Sequence, residues 1–320
     1  MKICLTGSTG FVGSKLCAHL LENSHEIFAP VRNFNSSSLP LNKNLNFIHV
    51  ADKGADKNYS KSLVNTDIVI HCAARAHVMK EDAKDSLHLY REVNVNDTIN
   101  LAKQAASHGI KRFIFLSSIK VNGEQTLFSE SFKYDDKPNP EDSYAISKLE
   151  AEEALKELSN RTKMEIVIIR SPLIYGEGVK GNFLRLLELS NKGIPLPLLN
   201  IKNTRSLVGI DNLIDLISCC IDHPKAASQT FLVSDNENIS TTELIKKIKI
   251  AMGKSLRLFP IPLILFKPLG HLIGKSSEVN RLFSSLTINI SHTCNQLNWK
   301  PKFSLDYGLK KTVSWYLKNL

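Results

Sequence analysis

The stretch SYAISKLEAEEAL, residues 143–155, sets Tyr144 and Lys148 one helical turn apart, directly after the proline-broken KPNPED. Residues i and i+4 share a helix face, so a phenol and an ammonium lie side by side. A phenol ordinarily titrates near ~10. A neighbouring positive charge favours phenolate and lowers that value toward a range useful for exchanging protons. The spacing alone is not diagnostic, because a Tyr and a Lys four apart also occur on the polar face of ordinary helices.

A second cluster stands at the amino end. KICLT (2–6) reads as a buried strand, FVGSKLCAHLLENS (11–24) as an amphipathic helix, and TGSTGFVG joins them with glycines at 7, 10 and 13. A strand turning sharply into a helix presents unpaired N–H groups and the positive end of the helix dipole, both suited to a diphosphate. Glycine serves where the backbone takes positive φ or approaches phosphates closely. Gly7, Thr9, Gly10, Phe11, Val12 and Gly13 are therefore expected to hold a dinucleotide. No G-x4-G-K-[ST] phosphate loop occurs. The tip of the second strand, PVRN, carries Arg32 where an acid would bind a free ribose 2′-hydroxyl. An arginine there suits a 2′-phosphate, which favours NADP(H) with NAD(H) as the alternative. Asp52, past the third strand, either holds the adenine or opens a turn.

These residues need a scaffold. EIFAPVR (26–32), NFIHV (46–50), DIVIHCA (67–73), KRFIFLSS (111–118) and MEIVIIR (164–170) read as further strands. A helical stretch containing NVNDTINLAKQAASHG (94–109) and the Tyr144 helix separate the later ones. Such alternation implies right-handed crossovers and a doubly wound parallel α/β sheet of Rossmann type. From residue 171 prolines cluster, and only SLVGI (206–210) and TFLVS (230–234) resemble further strands. The expected division is a dinucleotide-binding domain, 1–170 and 206–234, and a smaller C-terminal lobe, 171–205 and 235–320.

The 320 residues, 42% apolar and 22% charged, can bury a substantial core. No basic n-region with an apolar core opens the chain, so no secretory signal is expected. The six cysteines form no C-x-x-C pair and read as reduced thiols in the cytoplasm. The ten histidines show no metal-ligand spacing. A net charge of +10 suits small polyanions; without a zinc-finger, RNP or long Arg/Lys cluster, no nucleic acid is expected as a partner. FPIPLILFKPLGHLIG (259–274) is interrupted by prolines and a lysine and falls short of the ~20 apolar residues of a membrane span. It reads as a core or lid segment, with a membrane-surface segment as the alternative.

Taken in order, TGSTGFVG, HCAARAHV, FLSSIKVNGE and YAISK resemble the extended short-chain dehydrogenase/reductases of the NAD-dependent epimerase/dehydratase type, which act on nucleotide sugars. The resemblance runs from residue 2 to about 220, with a looser echo in LNWKPKFSLDYGLKKTVSWY (297–316). It implies that Tyr144 exchanges a proton with a sugar hydroxyl or carbonyl. Lys148 would lower the Tyr144 pKa and hold the nicotinamide ribose, and Ser118 would steady the substrate oxygen. Ser117 is the neighbouring alternative. Strand side chains alternate, so only one of the two serves, and counting back from Gly123 favours Ser118. The resemblance also places Ala73, Ala74 and Arg75 under the cofactor and Ser117 beside it. Asn94 braces the active-site strand, Lys120 and Asn182 contact the substrate, and Arg205 pairs with its phosphates.

Dehydratases of this kind carry an Asp-Glu pair after the active-site hydroxyl; here Ile119-Lys120 stands there, so dehydration is not expected. Arg32, SSIKVNGE and GVKGNFLRLL point first to reduction of a UDP-4-keto-6-deoxy-N-acetylhexosamine at C4. A UDP-hexose 4-epimerase with tightly held NAD is the alternative, and a non-catalytic dinucleotide sensor a third. A homodimer through helices at 94–108 and 143–158 is also implied.

Overall fold

The computed structural model describes residues 1–32, 42–51, 57–76, 86–127, 129–199, 201–260 and 282–320. The strands are β1 (Lys2–Thr6), β2 (Glu26–Val31), β3 (Leu45–His49), β4 (Ile68–His71), β5 (Arg112–Ser118), β6 (Glu165–Ser171), β7 (Leu173–Tyr175), β8 (Arg205–Gly209), β9 (Thr230–Leu232) and β10 (Asn238–Ile239). Seven of them form one sheet in the order β3-β2-β1-β4-β5-β6-β9, and every pair in it is parallel. This is the expected Rossmann-type α/β architecture.

Alternation along the strands buries both faces. Ile3 and Leu5 pack with Leu16 and Leu20 of α1 (Phe11–Glu22) and with Leu213 and Ile217 of α7 (Ile210–Asp222). Cys4, Phe113 and Phe115 point the other way. They meet Leu101 and Ala105 of α4 (Asp97–Ser107) and Ala151 and Leu155 of α5 (Ser143–Arg161). A strand buried on both faces reads as a continuous apolar run rather than an alternating one, which is why KICLT and FIFL were legible.

The helix expected across 94–109 is longer and irregular. α3 (Ser86–Arg91) runs into a π-helical turn, Glu92–Asn96, and then into α4. Short α2 (Ser60–Leu63) precedes β4. Past β6, Pro172 interrupts the ladder, since proline lacks the N–H a central strand must donate. The chain then leaves the main sheet: β7 pairs with β8, and β8 with β10, in a separate three-stranded sheet. SLVGI is thus a strand of the small sheet, while TFLVS supplies β9 at the edge of the large one. α6 (Gly181–Asn191), α8 (Thr241–Ala251) and α10 (Leu305–Lys318) pack around the small sheet through Phe183, Leu187, Leu207, Ile248 and Leu309. α9 (Ser291–Leu297) lies against β9.

The proline-interrupted segment at 259–274 lies almost wholly outside the described residues. Among the described residues no helix is long and apolar enough to cross a membrane, and no group of three or more His, Cys, Asp or Glu could hold a metal ion.

Candidate active site

The strand order reverses between β1 and β4, and a crevice opens beyond the carboxyl ends of strands at such a point. The glycine turn follows β1 there, and the Cys72–Arg75 loop follows β4. Gly7 takes φ +71°, and a Cβ on it would stand 2.7 Å from the Ala73 nitrogen. A Cβ on Gly13 would stand 2.1 Å from the Gly7 carbonyl oxygen, closer than atoms can approach. The Gly10 N–H donates to that same carbonyl at 2.9 Å. No side chain caps α1 at Gly10, so the N–H groups of its first turn face outward. Thr9 and Gly10 are exposed, while Phe11 and Val12 are half-buried against the core. The arrangement fits a dinucleotide diphosphate: bare backbone donors with no side chain in the way.

Ala73 is half-buried and Ala74 exposed, and the Ala73 N–H reaches the Thr6 hydroxyl at 3.4 Å. Asn94, 1% exposed in the π-helical turn, locks this loop in place. Its carboxamide accepts from the Arg75 N–H at 2.8 Å, donates to the Arg75 carbonyl at 3.1 Å, and donates to Ser147 of α5 at 3.0 Å. Such turns are frequent at functional sites. Arg32 is exposed at the tip of β2, and Asp52 lies outside the described residues.

The reacting groups converge on α5. The Tyr144 phenol lies close enough to the Ser118 hydroxyl for that hydroxyl to favour its charged form. Lys148, 1% exposed, holds its ammonium 3.8 Å from the centre of the Phe115 ring, a cation–π contact. Burial pushes its pKa down to about 7, against the opposing pull of Glu152 and Cys72. Tyr144 departs from the expectation of a lowered pKa. Burial pushes it up, Asp142 and Tyr90 add to that, and only the Ser118 hydroxyl opposes. Removing water from a phenol disfavours its charged form. Tyr90, on α3, meets the Tyr144 ring edge-on at 6.1 Å, and the Arg75 guanidinium lies 6.0 Å from the Tyr90 ring centre.

Ser117, expected beside the cofactor, bonds elsewhere. Its hydroxyl donates to Glu152 at 2.5 Å. Glu152 takes further bonds from Arg170, the shortest at 2.7 Å, and Arg170 reaches Asn122 at 2.9 Å. All four side chains are buried. Sequence reasoning missed Glu152, Arg170 and Asn122. The i+4 spacing of Glu152 from Lys148 was the available signal.

Lys120 pairs with Glu124 at 2.7 Å and with Asp142. Asn182 is exposed in the first turn of α6. Arg205, at the start of β8, donates to the Ser284 carbonyl at 2.9 Å. The structure thus sets Tyr144 beside Ser118, with Lys148 one turn further along α5 against Phe115, and the glycine turn at the same end of the sheet.

Comparison with known proteins agrees with this geometry. The NAD dependent epimerase/dehydratase family matches residues 3–234. A UDP-glucose 4-epimerase of Vibrio cholerae is 49% identical over 319 residues, covering 99% of this chain and 95% of the relative. An N-acetyl-alpha-D-glucosaminyl-diphospho-ditrans,octacis-undecaprenol 4-epimerase of Escherichia coli O157:H7 is 24% identical over 330 residues, covering 98% and 94%. Among solved structures, UDP-glucuronic acid 4-epimerase from Bacillus cereus in complex with NAD superposes with a TM-score of 0.81 at 23% identity, covering 99% of both chains. UDP-glucose 4-epimerase from Thermotoga maritima with UDP-glucose gives 0.78 at 20%, covering 100% of this chain and 99% of that one. The chain is an enzyme of the NAD-dependent epimerase/dehydratase family.

Proposed function

We propose that this enzyme inverts C4 of a UDP-hexose, using NAD. The observation that carries the reading is the 49% identity to a UDP-glucose 4-epimerase across 99% of the chain; the placement of Ser118, Tyr144 and Lys148 supports it. The reductive reading drawn from the sequence has less support, and so has its preference for NADP(H). The related structures hold NAD, and exposed Arg32 does not by itself call for a 2′-phosphate.

NAD, held in the crevice by the glycine turn and Lys148, would supply reversible hydride chemistry at C4. Tyr144 would take the proton from the sugar 4-hydroxyl and give it back to the same oxygen once the 4-keto sugar has presented its other face. Ser118 hydrogen-bonds the same oxygen and keeps it in line with the phenol. Lys148 holds the nicotinamide ribose and supplies positive charge beside the developing phenolate. Gly7, Gly10 and Gly13 would hold the cofactor's diphosphate on the glycine turn. Asn182 and Arg205 hold the sugar nucleotide's own phosphates.

The same proposal includes the two-part division, 1–170 with 206–234 for the cofactor and 171–205 with 235–320 for the sugar nucleotide, except that β8 adds residues 206–209 to the sheet of the smaller part. It includes a cytoplasmic homodimer joined through α4 and α5, which light scattering tests. Purified enzyme with UDP-glucose, UDP-galactose and their N-acetylated counterparts, followed by chromatography of the products, tests the reaction. Interconversion of C4 epimers without net NADH release is expected. Stoichiometric NADPH consumption on a UDP-4-keto-6-deoxy-hexosamine, with no epimer interconversion, would return the reductive reading.

A further inference from the structure

We infer that Lys120 is a positioning residue: its ammonium, held between Glu124 and Asp142, ties the turn that carries Ser118 to the first turn of the helix that carries Tyr144. The inference deepens the proposed reaction and relies on it for the rate measurement only.

Ser118 ends β5 and opens a tight 3-10 turn, Ile119–Val121, where its hydroxyl accepts from the Lys120 N–H at 3.3 Å. Lys120 projects from that turn, and its ammonium donates to Glu124 at 2.7 Å. The same ammonium donates to Oδ2 of Asp142. Asp142 is the N-cap of α5, and its other oxygen accepts from the Ala145 N–H at 2.7 Å. Tyr144 stands two residues further on, and its phenol returns to Ser118. Two links therefore run in parallel between the end of β5 and the start of α5. One is the approach of the Tyr144 phenol to Ser118; the other is the Lys120–Asp142 ion pair. The side chains of Lys120, Glu124 and Asp142 are 25%, 23% and 34% exposed, so water screens the brace only in part.

The brace also sets local charge. Tyr144 faces Asp142 and Lys148 from its own helix, Tyr90 from α3 and Ser118 from β5, with Lys120 and Glu124 on the adjoining turn. Asp142 disfavours the phenolate. Lys120 offsets the charge of Asp142, and its loss would strengthen the carboxylate that already disfavours the phenolate.

The test compares wild-type, Lys120→Met and Lys120→Arg enzymes loaded with NAD. For Lys120→Met, kcat is expected to fall about 10- to 100-fold with KM within about threefold, because misplaced reacting groups cost rate rather than binding. The acid limb of its pH–rate profile should move to higher pH, since the phenolate becomes harder to form. Near-ultraviolet absorbance of the Tyr144 phenolate, taken as the difference from Tyr144→Phe, should move the same way without any turnover. Lys120→Arg, able to bridge both carboxylates, should restore most of the rate. If wild-type enzyme fails to epimerise UDP-hexoses, the proposed reaction fails, while the phenolate titration still decides on the brace. Unchanged kcat and titration in a folded Lys120→Met enzyme would overturn the inference. So would a raised KM with intact kcat, which makes Lys120 a substrate contact. Lys120→Gln, uncharged but polar, gives the same readings if Lys120→Met does not fold.

Discussion

Ser117 and Ser118, neighbours at the end of β5, face different residues of one helix: Ser117 donates to Glu152 at 2.5 Å, and Ser118 lies beside the Tyr144 phenol. One hydroxyl is spent inside a buried ion-pair network, and the other is left where a sugar oxygen would lie. The first half of α5 thus holds both the reacting phenol and the acid that anchors the strand beneath it.

Tyr144→Phe removes the proton-exchanging group and leaves the shape of the site. Turnover is expected to fall about 10²- to 10⁴-fold, with NAD affinity measured by calorimetry unchanged. Ser118→Ala should cost less rate, since Tyr144 keeps its place on the helix.

The Glu152–Arg170 pair is almost wholly buried, with side chains 0% and 3% exposed. Glu152→Gln leaves Arg170 with an uncompensated charge, and breaking such a pair costs about 3–5 kcal/mol. Urea denaturation should show a midpoint shift of that size at unchanged slope. Ser117→Ala should cost about 1 kcal/mol.

Lys148 links activity to stability with a definite sign. Its pKa is about 7 in the fold against an ordinary 10.5, so between those values the unfolded chain binds the extra proton. Its contribution therefore rises with pH through that window and penalises the fold below it. Lys148→Met should raise the melting temperature of cofactor-free protein at pH 6, with the gain fading toward pH 10, while abolishing turnover. Scanning calorimetry across pH checks both the direction and the window.

Gly13→Ala places a methyl group against the Gly7 carbonyl, 2.1 Å from the ideal Cβ position. The turn must open to admit it. NAD affinity is expected to fall at least tenfold, read by calorimetry, together with a lower melting temperature. Alanine at Gly109, whose Cβ would meet nothing within 4 Å, should leave affinity unchanged and lose only what its φ of +72° demands.

Much of this was legible from spacing. The buried strands announced themselves as apolar runs, the glycine triplet marked the first crossover, and the i+4 pair of Tyr144 and Lys148 marked the reacting face. What escaped was non-local. Nothing in SLVGI tells whether it joins the large or the small sheet; Pro172, 34 residues earlier, diverts the chain. Arg170 lies inside an apolar strand and reads as an interruption until Glu152 appears opposite it. Lys120 looked like a substrate contact because it follows Ser118; its carboxylate partners come from the adjoining turn and from the cap of α5. The Tyr144 pKa was misjudged because proximity to an ammonium is visible in sequence and desolvation is not.

The segment leaving β5 is secured by residues made much later. The Thr126 N–H donates to the Ser285 carbonyl at 2.9 Å, and the Phe132 N–H to Thr287 at the same distance. Leu286 also exchanges backbone bonds with Thr204 and Ser206 beside Arg205. During synthesis the parallel sheet can close strand by strand as each emerges, yet these backbone bonds wait for roughly the last eighth of the polypeptide. A ribosome stalled before codon 282 therefore displays a sheet with its glycine turn formed and the amides of Thr126 and Phe132 still hydrated.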